Sequence, residues 1–255
     1  MSTLLEGLNT EQLQAVTHAS GPLLIVAGAG TGKTTVITRR IAFLLKQKLA
    51  QPSEILALTF TDKASGEMEE RVDLLAELGN HDFWISTFHS FCQRILEQHG
   101  LDIGLANSFK LLDDVGQWIL IRKNFEKFNL DYYKPLGSPD RFIETLLKHF
   151  SKCKDEMITP EEYLDYAKNL THTNDEEEVE AKRVLEVANA YAVYQQLLLD
   201  NEYLDFGDLI NYAIHLFEKR PNILKIYQEK FKYILVDEKE RKVNAFFKKH
   251  KKAIM

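Results

Sequence analysis

Apolar positions along the chain follow two rhythms. Residues 23–27 (LLIVA) form a short unbroken apolar run closed by glycines, the pattern of a strand buried on both faces of a parallel sheet. From Lys33 the period lengthens, and Val36, Ile37, Ile41, Leu44 and Leu45 share one face of a helix reaching about Lys46. The alternation then recurs twice. Residues 55–60 (ILALTF) lead into a polar helix over about 62–78, and residues 83–87 into a helix ending near Gly100. Strand and helix alternating in this way predict an α/β fold with a parallel, wound sheet.

After Gly100 the rhythm changes. Helical stretches over about 113–128, 139–150, 160–169 and 176–200, with no convincing strand before Tyr233, predict a mainly helical insertion. Lys134-Pro135 and Gly137-Ser138-Pro139 separate its parts. The acidic stretch 174–180 (NDEEEVE) reads as a helix start favoured by the N-terminal dipole, on a solvated face. Residues 233–236 (YILV) return to strand character and end in Asp237 and Glu238. The expected organisation is an α/β domain over 1–105, a helical insertion over 106–203, a return to the sheet over 204–238 and a Lys-rich tail over 239–255.

With 255 residues, 45% of them apolar, the chain can bury one large core or two modest ones. No apolar run approaches the roughly 20 residues that span a bilayer, and the polar start lacks a signal-peptide pattern. Two cysteines, Cys92 and Cys153, are too few for a disulfide framework or a cysteine-rich zinc site. A soluble protein of the reducing cytoplasm is the simplest expectation. The net charge of −6 hides an asymmetry: the tail holds seven Lys/Arg against the single acid Glu240, at +6, leaving the body at −12. That balance argues against general electrostatic adhesion to nucleic acid and leaves a local basic groove open.

The chemistry is concentrated after the first apolar run. Ala27, Gly28, Ala29, Gly30, Thr31, Gly32, Lys33 and Thr34 match a phosphate-binding loop, with Ala27 at the first glycine position of the strict pattern, and Thr35 follows directly. Small residues let successive backbone N–H groups turn inward around a polyphosphate. Lys33 can neutralise β and γ phosphates, and the Thr34 hydroxyl can serve Mg²⁺. Such a loop needs an acid at the end of a neighbouring strand. Asp237 and Glu238 supply it at the carboxyl edge of the sheet, Asp237 for Mg²⁺ and Glu238 to take a proton from the attacking water. Together they define a candidate nucleotide-hydrolase site.

With these elements in this order, the sequence resembles the UvrD/Rep family of superfamily 1 DNA helicases over about residues 5–238. The stretch 8–16 (LNTEQLQAV) is similar to the family's LNxxQxxAV segment, which implies that Gln12 reads the adenine. Residues 58–64 (LTFTDKA) resemble the TFTNKAA segment, with Asp62 where asparagine is common, and 87–90 (TFHS) resemble the TFH segment. The resemblance implies that Thr59, Phe60, Thr61, Thr87, Phe88 and His89 approach single-stranded DNA, an aromatic ring stacking on any base and hydroxyls meeting phosphate. Taken alone, Phe60 reads as a core aromatic and His89 as a structural histidine. Residues 204–209 (LDFGDL) resemble the DFxDL segment. Arg122, Lys123, Lys148, Lys152 and Lys154 of the insertion read as solvated surface, with no role assigned.

The likeness breaks inside the acidic motif. Where the family continues with an aromatic or small residue and then Gln-Asp, this chain has Lys239-Glu240-Arg241-Lys242 and an unrelated tail. The γ-phosphate-sensing glutamine and the second RecA-like domain with its arginines are not present, which points to a truncated or frame-shifted product or a chosen domain boundary. The expected function is the ATP-binding first motor domain of a 3′–5′ DNA helicase, binding Mg²⁺, ATP and single-stranded DNA, with weak hydrolysis and no unwinding by this chain alone. The alternatives are a non-catalytic nucleotide- or DNA-binding remnant and a P-loop kinase for a small molecule.

Overall fold

A computed structural model describes residues 2–28, 30–76, 83–106 and 108–237. Two compact units emerge, the first from the residues through Phe91 together with those from Phe217, the second Cys92–Leu216. Among the described residues no helix is long and apolar enough to cross a membrane.

The first unit opens with two short helices, α1 (Ser2–Leu5) and α2 (Thr10–Thr17), and the helix after the glycine loop, α3 (Lys33–Lys46). Strand β1 (Ile55–Thr59), α4 (Asp62–Ala76), β2 (Trp84–Thr87) and the start of α5 (Phe88–His99) follow. The sheet is parallel, in the order β2-β1-β5, with β1 central and buried along its whole length; β5 is Tyr233–Asp237. Ile55 and Ala57 of β1 pack on Ile41, Leu44 and Leu45 of α3 and on Met68 and Val72 of α4. Trp84 instead meets an aromatic group, its ring 5.2 Å from Phe231 and 6.3 Å from Tyr227.

One expected strand is absent. Residues 23–27 carry no sheet hydrogen bonds, and Leu24 and Val26 are 87% and 88% exposed. A continuous apolar run becomes a buried strand only when strands flank it and helices cover both faces. Among the described residues no strand pairs with that run, whereas β1, similarly apolar, is paired on both edges and packed on α3 and α4.

The second unit is helical, as expected, with α6 (Asp114–Lys123), α7 (Ile143–Asp155), α8 (Pro160–Lys168), α9 (Asp175–Asp200) and the greater part of α10 (Phe206–Lys219). The first unit resumes with α11 (Pro221–Lys230). Sequence reading did not foresee α10, α11 or the parallel pair β3 (Lys110–Leu111) and β4 (Tyr203–Leu204). Two residues per strand are too few to show a period. The core of this unit centres on Phe150, stacked 5.2 Å from Tyr191 and 5.3 Å from Tyr194. Asn174 caps α9 by accepting from the Glu177 N–H, so the acidic run does begin a helix.

Lys154 corrects the reading of a solvated surface. It is 2% exposed, with its ammonium 2.6 Å from Asp205 and 2.8 Å from Asp208. Tyr194 donates to Asp205 at 2.9 Å and Gln195 to Asp208 at 3.1 Å. The Asp205 and Asp208 backbone N–H groups each bond the other's carboxylate, a reciprocal cap at the start of α10. The DFxDL-like segment is therefore a buried ionic cluster. Gly207 is what lets α10 come so close: a Cβ there would stand 2.8 Å from Lys154 Cβ.

Candidate nucleotide site and its family

The loop before α3 reverses the chain through two left-handed residues, Gly30 at φ 78° and Gly32 at φ 86°. Residues with a Cβ adopt this region only at a cost, so glycine is required at both. Gly32 is also the N-cap of α3 with no side chain to close it, which leaves the first N–H groups of the helix facing the loop. The Lys33 ammonium folds back and donates to the carbonyls of Ala27 and Gly28, each at 2.7 Å. Thr31 donates to the Gly28 carbonyl at 2.7 Å. Among the described residues Lys33 has no carboxylate partner, and a lysine held by neutral carbonyls is available to an anion that enters the loop.

Thr34 joins the loop to the far end of the sequence. Its hydroxyl donates to Asp237 Oδ2 at 2.7 Å, across 203 residues. The strand register accounts for the meeting. Asp237 pairs with Thr59, and Thr59 with Thr87, so the three form one row at the carboxyl edge of the sheet. Thr35 extends α3 beside this row, its carbonyl accepting from Thr38 at 3.1 Å. Ala29 and Glu238 lie outside the described residues.

Gln12 meets the loop from another direction. Asn9 and Gln12 form a capping box at the start of α2, the Gln12 Oε1 accepting from the Asn9 N–H at 3.1 Å. The amide NH₂ donates to the Thr31 carbonyl at 3.1 Å. The polar helix start and the approach to the loop are thus both realised by one side chain. The spacing Asn9-x-x-Gln12 was a readable capping signal.

The segments resembling DNA contacts divide by exposure. Phe60 is 63% exposed at the sheet edge, which rules out a core aromatic. Thr61 is exposed and caps α4, accepting from the Ala64 N–H at 3.1 Å. Thr59 and Thr87 are buried, at 1% and 6%. The Thr59 hydroxyl turns to the Thr61 carbonyl, while that of Thr87 bonds Ser90 and caps α5. Phe88 and His89 open α5 and are half-buried. Neither cysteine has thiolate character: both are buried and free, and burial pushes the Cys92 thiol up to about 12.

A glycine-turned loop at a helix N-terminus, with its hydroxyl bonded to an acid on a neighbouring parallel strand, defines a RecA-like P-loop domain. The chain belongs to the UvrD/REP helicase family, whose N-terminal domain model matches residues 8–239. It is 43% identical over 236 residues to the ATP-dependent DNA helicase PcrA of Bacillus subtilis (strain 168), covering 92% of this chain and 29% of that protein. To PcrA of Staphylococcus aureus (strain Mu50) it is 43% identical over 238 residues, 93% of this chain and 30% of the relative. PcrA of Staphylococcus epidermidis is 42% identical over the same length. The chain thus spans about 30% of the length of these relatives.

Proposed function

We propose that this chain is an ATP-binding motor module that holds Mg²⁺-ATP in the loop 27–35 and meets single-stranded DNA along the edge of the sheet carrying Phe60. The observation that carries the reading is the 2.7 Å bond from Thr34 to Asp237 beside a lysine whose ammonium is held by the Ala27 and Gly28 carbonyls. A hydroxyl and a carboxylate are hard oxygen donors and suit Mg²⁺, which keeps waters and phosphate oxygens as its remaining ligands. Thr34 and Asp237 would hold Mg²⁺, which would supply neutralisation of the charge that develops on the phosphates.

Lys33 then leaves the Ala27 and Gly28 carbonyls for the phosphates, joined by the N–H groups at the start of α3. Gln12 faces the base. An amide can pair with adenine through one donor and one acceptor, and the capping box already fixes which end is which. Glu238 takes the proton of the attacking water. Phe60 offers a stacking face without sequence preference, with Thr61, Phe88 and His89 beside it in the chain's DNA-facing segments. Thr59 and Thr87 serve by capping and aligning those segments. The helical insertion is proposed over 106–203.

For the 255 residues alone we expect slow hydrolysis and no unwinding. An arginine from a second domain typically contributes roughly 10³–10⁵ in rate to phosphoryl transfer, and two domains are needed to step along a strand. Binding of a fluorescent ATP analogue with Mg²⁺, repeated on Lys33→Ala and Thr34→Val, tests the reading. Loss of binding in the first and loss of the Mg²⁺ dependence in the second are expected. Binding unchanged in Lys33→Ala would overturn it.

A further inference from the structure

Arg39 and Arg40 follow Lys33 on α3, and both guanidinium groups turn away from the phosphate loop toward the backbone that carries Gln12. Arg39 donates to the carbonyls of Leu4, at 2.9 Å, and Glu6. Arg40 donates to the Val16 carbonyl at 2.9 Å. That carbonyl lies in the last turn of α2, where acceptors have no partner within the helix and a cation is favoured. The helix supplies no alternative closure, since its C-cap, His18, has φ −48° and ψ 128° rather than the left-handed geometry of a glycine cap.

α2 packs along α3 mainly through its backbone and small side chains. Val16 is its one buried side chain among the described residues. Two polar ties fix the register of the helix on α3, Gln12 to the Thr31 carbonyl at one end and Arg40 to Val16 at the other. Arg40 also occupies a position that packing alone would assign to an apolar residue. It stands four residues after Val36 and four before Leu44, both buried on the core face of α3. Its cation lies over the Tyr233 ring of β5, 5.9 Å from the centroid. The Arg40 side chain thus links the end of the Gln12 helix to the strand that carries Asp237.

We propose that Arg40, assisted by Arg39, is a positioning residue for base recognition: by capping α2 it holds the Gln12 amide at a fixed place beside the phosphate loop. The inference rests on the reading of Gln12 given above. It separates two parts of nucleotide affinity: base selection runs through α2, whereas the charge that meets the phosphates comes from Lys33 and the N–H groups at the start of α3.

The test measures affinity of the full chain for ATP and for inorganic tripolyphosphate, both with Mg²⁺, by calorimetry. Arg40→Met is expected to weaken ATP by about tenfold, the weight of one charged hydrogen bond, and to leave tripolyphosphate unchanged. Gln12→Ala should do the same, and the double variant should lose no more than either single. Arg40→Lys, which keeps one donor, should fall between wild type and Arg40→Met. Equal losses on ATP and tripolyphosphate, additivity with Gln12→Ala, or ATP affinity untouched by Arg40→Met would overturn the proposal. Should Arg40→Met fail to fold by circular dichroism, Arg40→Lys on the same two ligands decides by the same criteria. Gln12→Ala with undiminished ATP affinity would instead defeat the reading of Gln12, and the positioning role with it.

Discussion

Lys33 in the first unit and Lys154 in the second each bring an ammonium to 2.6–2.8 Å from two oxygens, and the difference lies in what those oxygens are. Lys154 faces two buried carboxylates that are themselves bonded by Tyr194, Gln195 and backbone N–H groups. Removing it leaves two uncompensated charges away from water. Lys33 faces neutral carbonyls in an open loop, bonds that an arriving phosphate can replace. A fully partnered, dry cluster specifies structure, whereas an accessible and weakly committed cation can be spent on a ligand.

Breaking the buried member should give the largest effect. Lys154→Met is expected to cost about 3–5 kcal/mol of stability, read as a lower midpoint in urea unfolding. Lys33→Ala should weaken ATP by about 10- to 100-fold while leaving that midpoint almost unmoved, and a matching stability loss would erase the contrast. Gly207→Ala pushes a methyl against Lys154 Cβ at 2.8 Å and should cost about 1–3 kcal/mol as overpacking, again without touching nucleotide affinity.

The smallest effect sharpens the comparison through pH. Burial first, and then the neighbouring Asp205 charge, raise Asp208 to about 6 from 3.8, although Lys154 opposes the shift. Two carboxylates sharing one ammonium favour uptake of a proton. A folded value above the unfolded one contributes stability that is complete below about 4 and is lost as pH rises through about 6. Stability measured by urea unfolding should therefore increase between pH 7 and pH 5, and Asp208→Asn should flatten that slope. A wild-type slope of the opposite sign would place the proton elsewhere.

Much of this was legible in the chain. The helix from Lys33 to Lys46 follows directly from its apolar spacing, and β1 ends within one residue of its predicted limit because its neighbours on both sides exist. The loop could be read because its glycines are dictated by backbone geometry, a local property. Residues 23–27 were misread because an apolar run reports a preference for burial and says nothing about whether partners are available. Lys154 carried an unread signal. It falls four residues after Phe150 on the stripe of Ile143, Leu146 and Phe150, a place where a lysine must find carboxylates or stay out of the core. Which carboxylates it finds, 51 and 54 positions away, depends on tertiary packing that no local pattern encodes.

The uncovered run LLIVA has a practical side. Five consecutive aliphatic residues without a charge, with Leu24 and Val26 almost fully in solvent, match the composition of segments that recruit their own kind into intermolecular sheets. Colloidal behaviour should then scale with this short stretch rather than with net charge. Light scattering at rising concentration would register it, and a lysine at position 24 or 26 would act as a gatekeeper that keeps the protein dispersed.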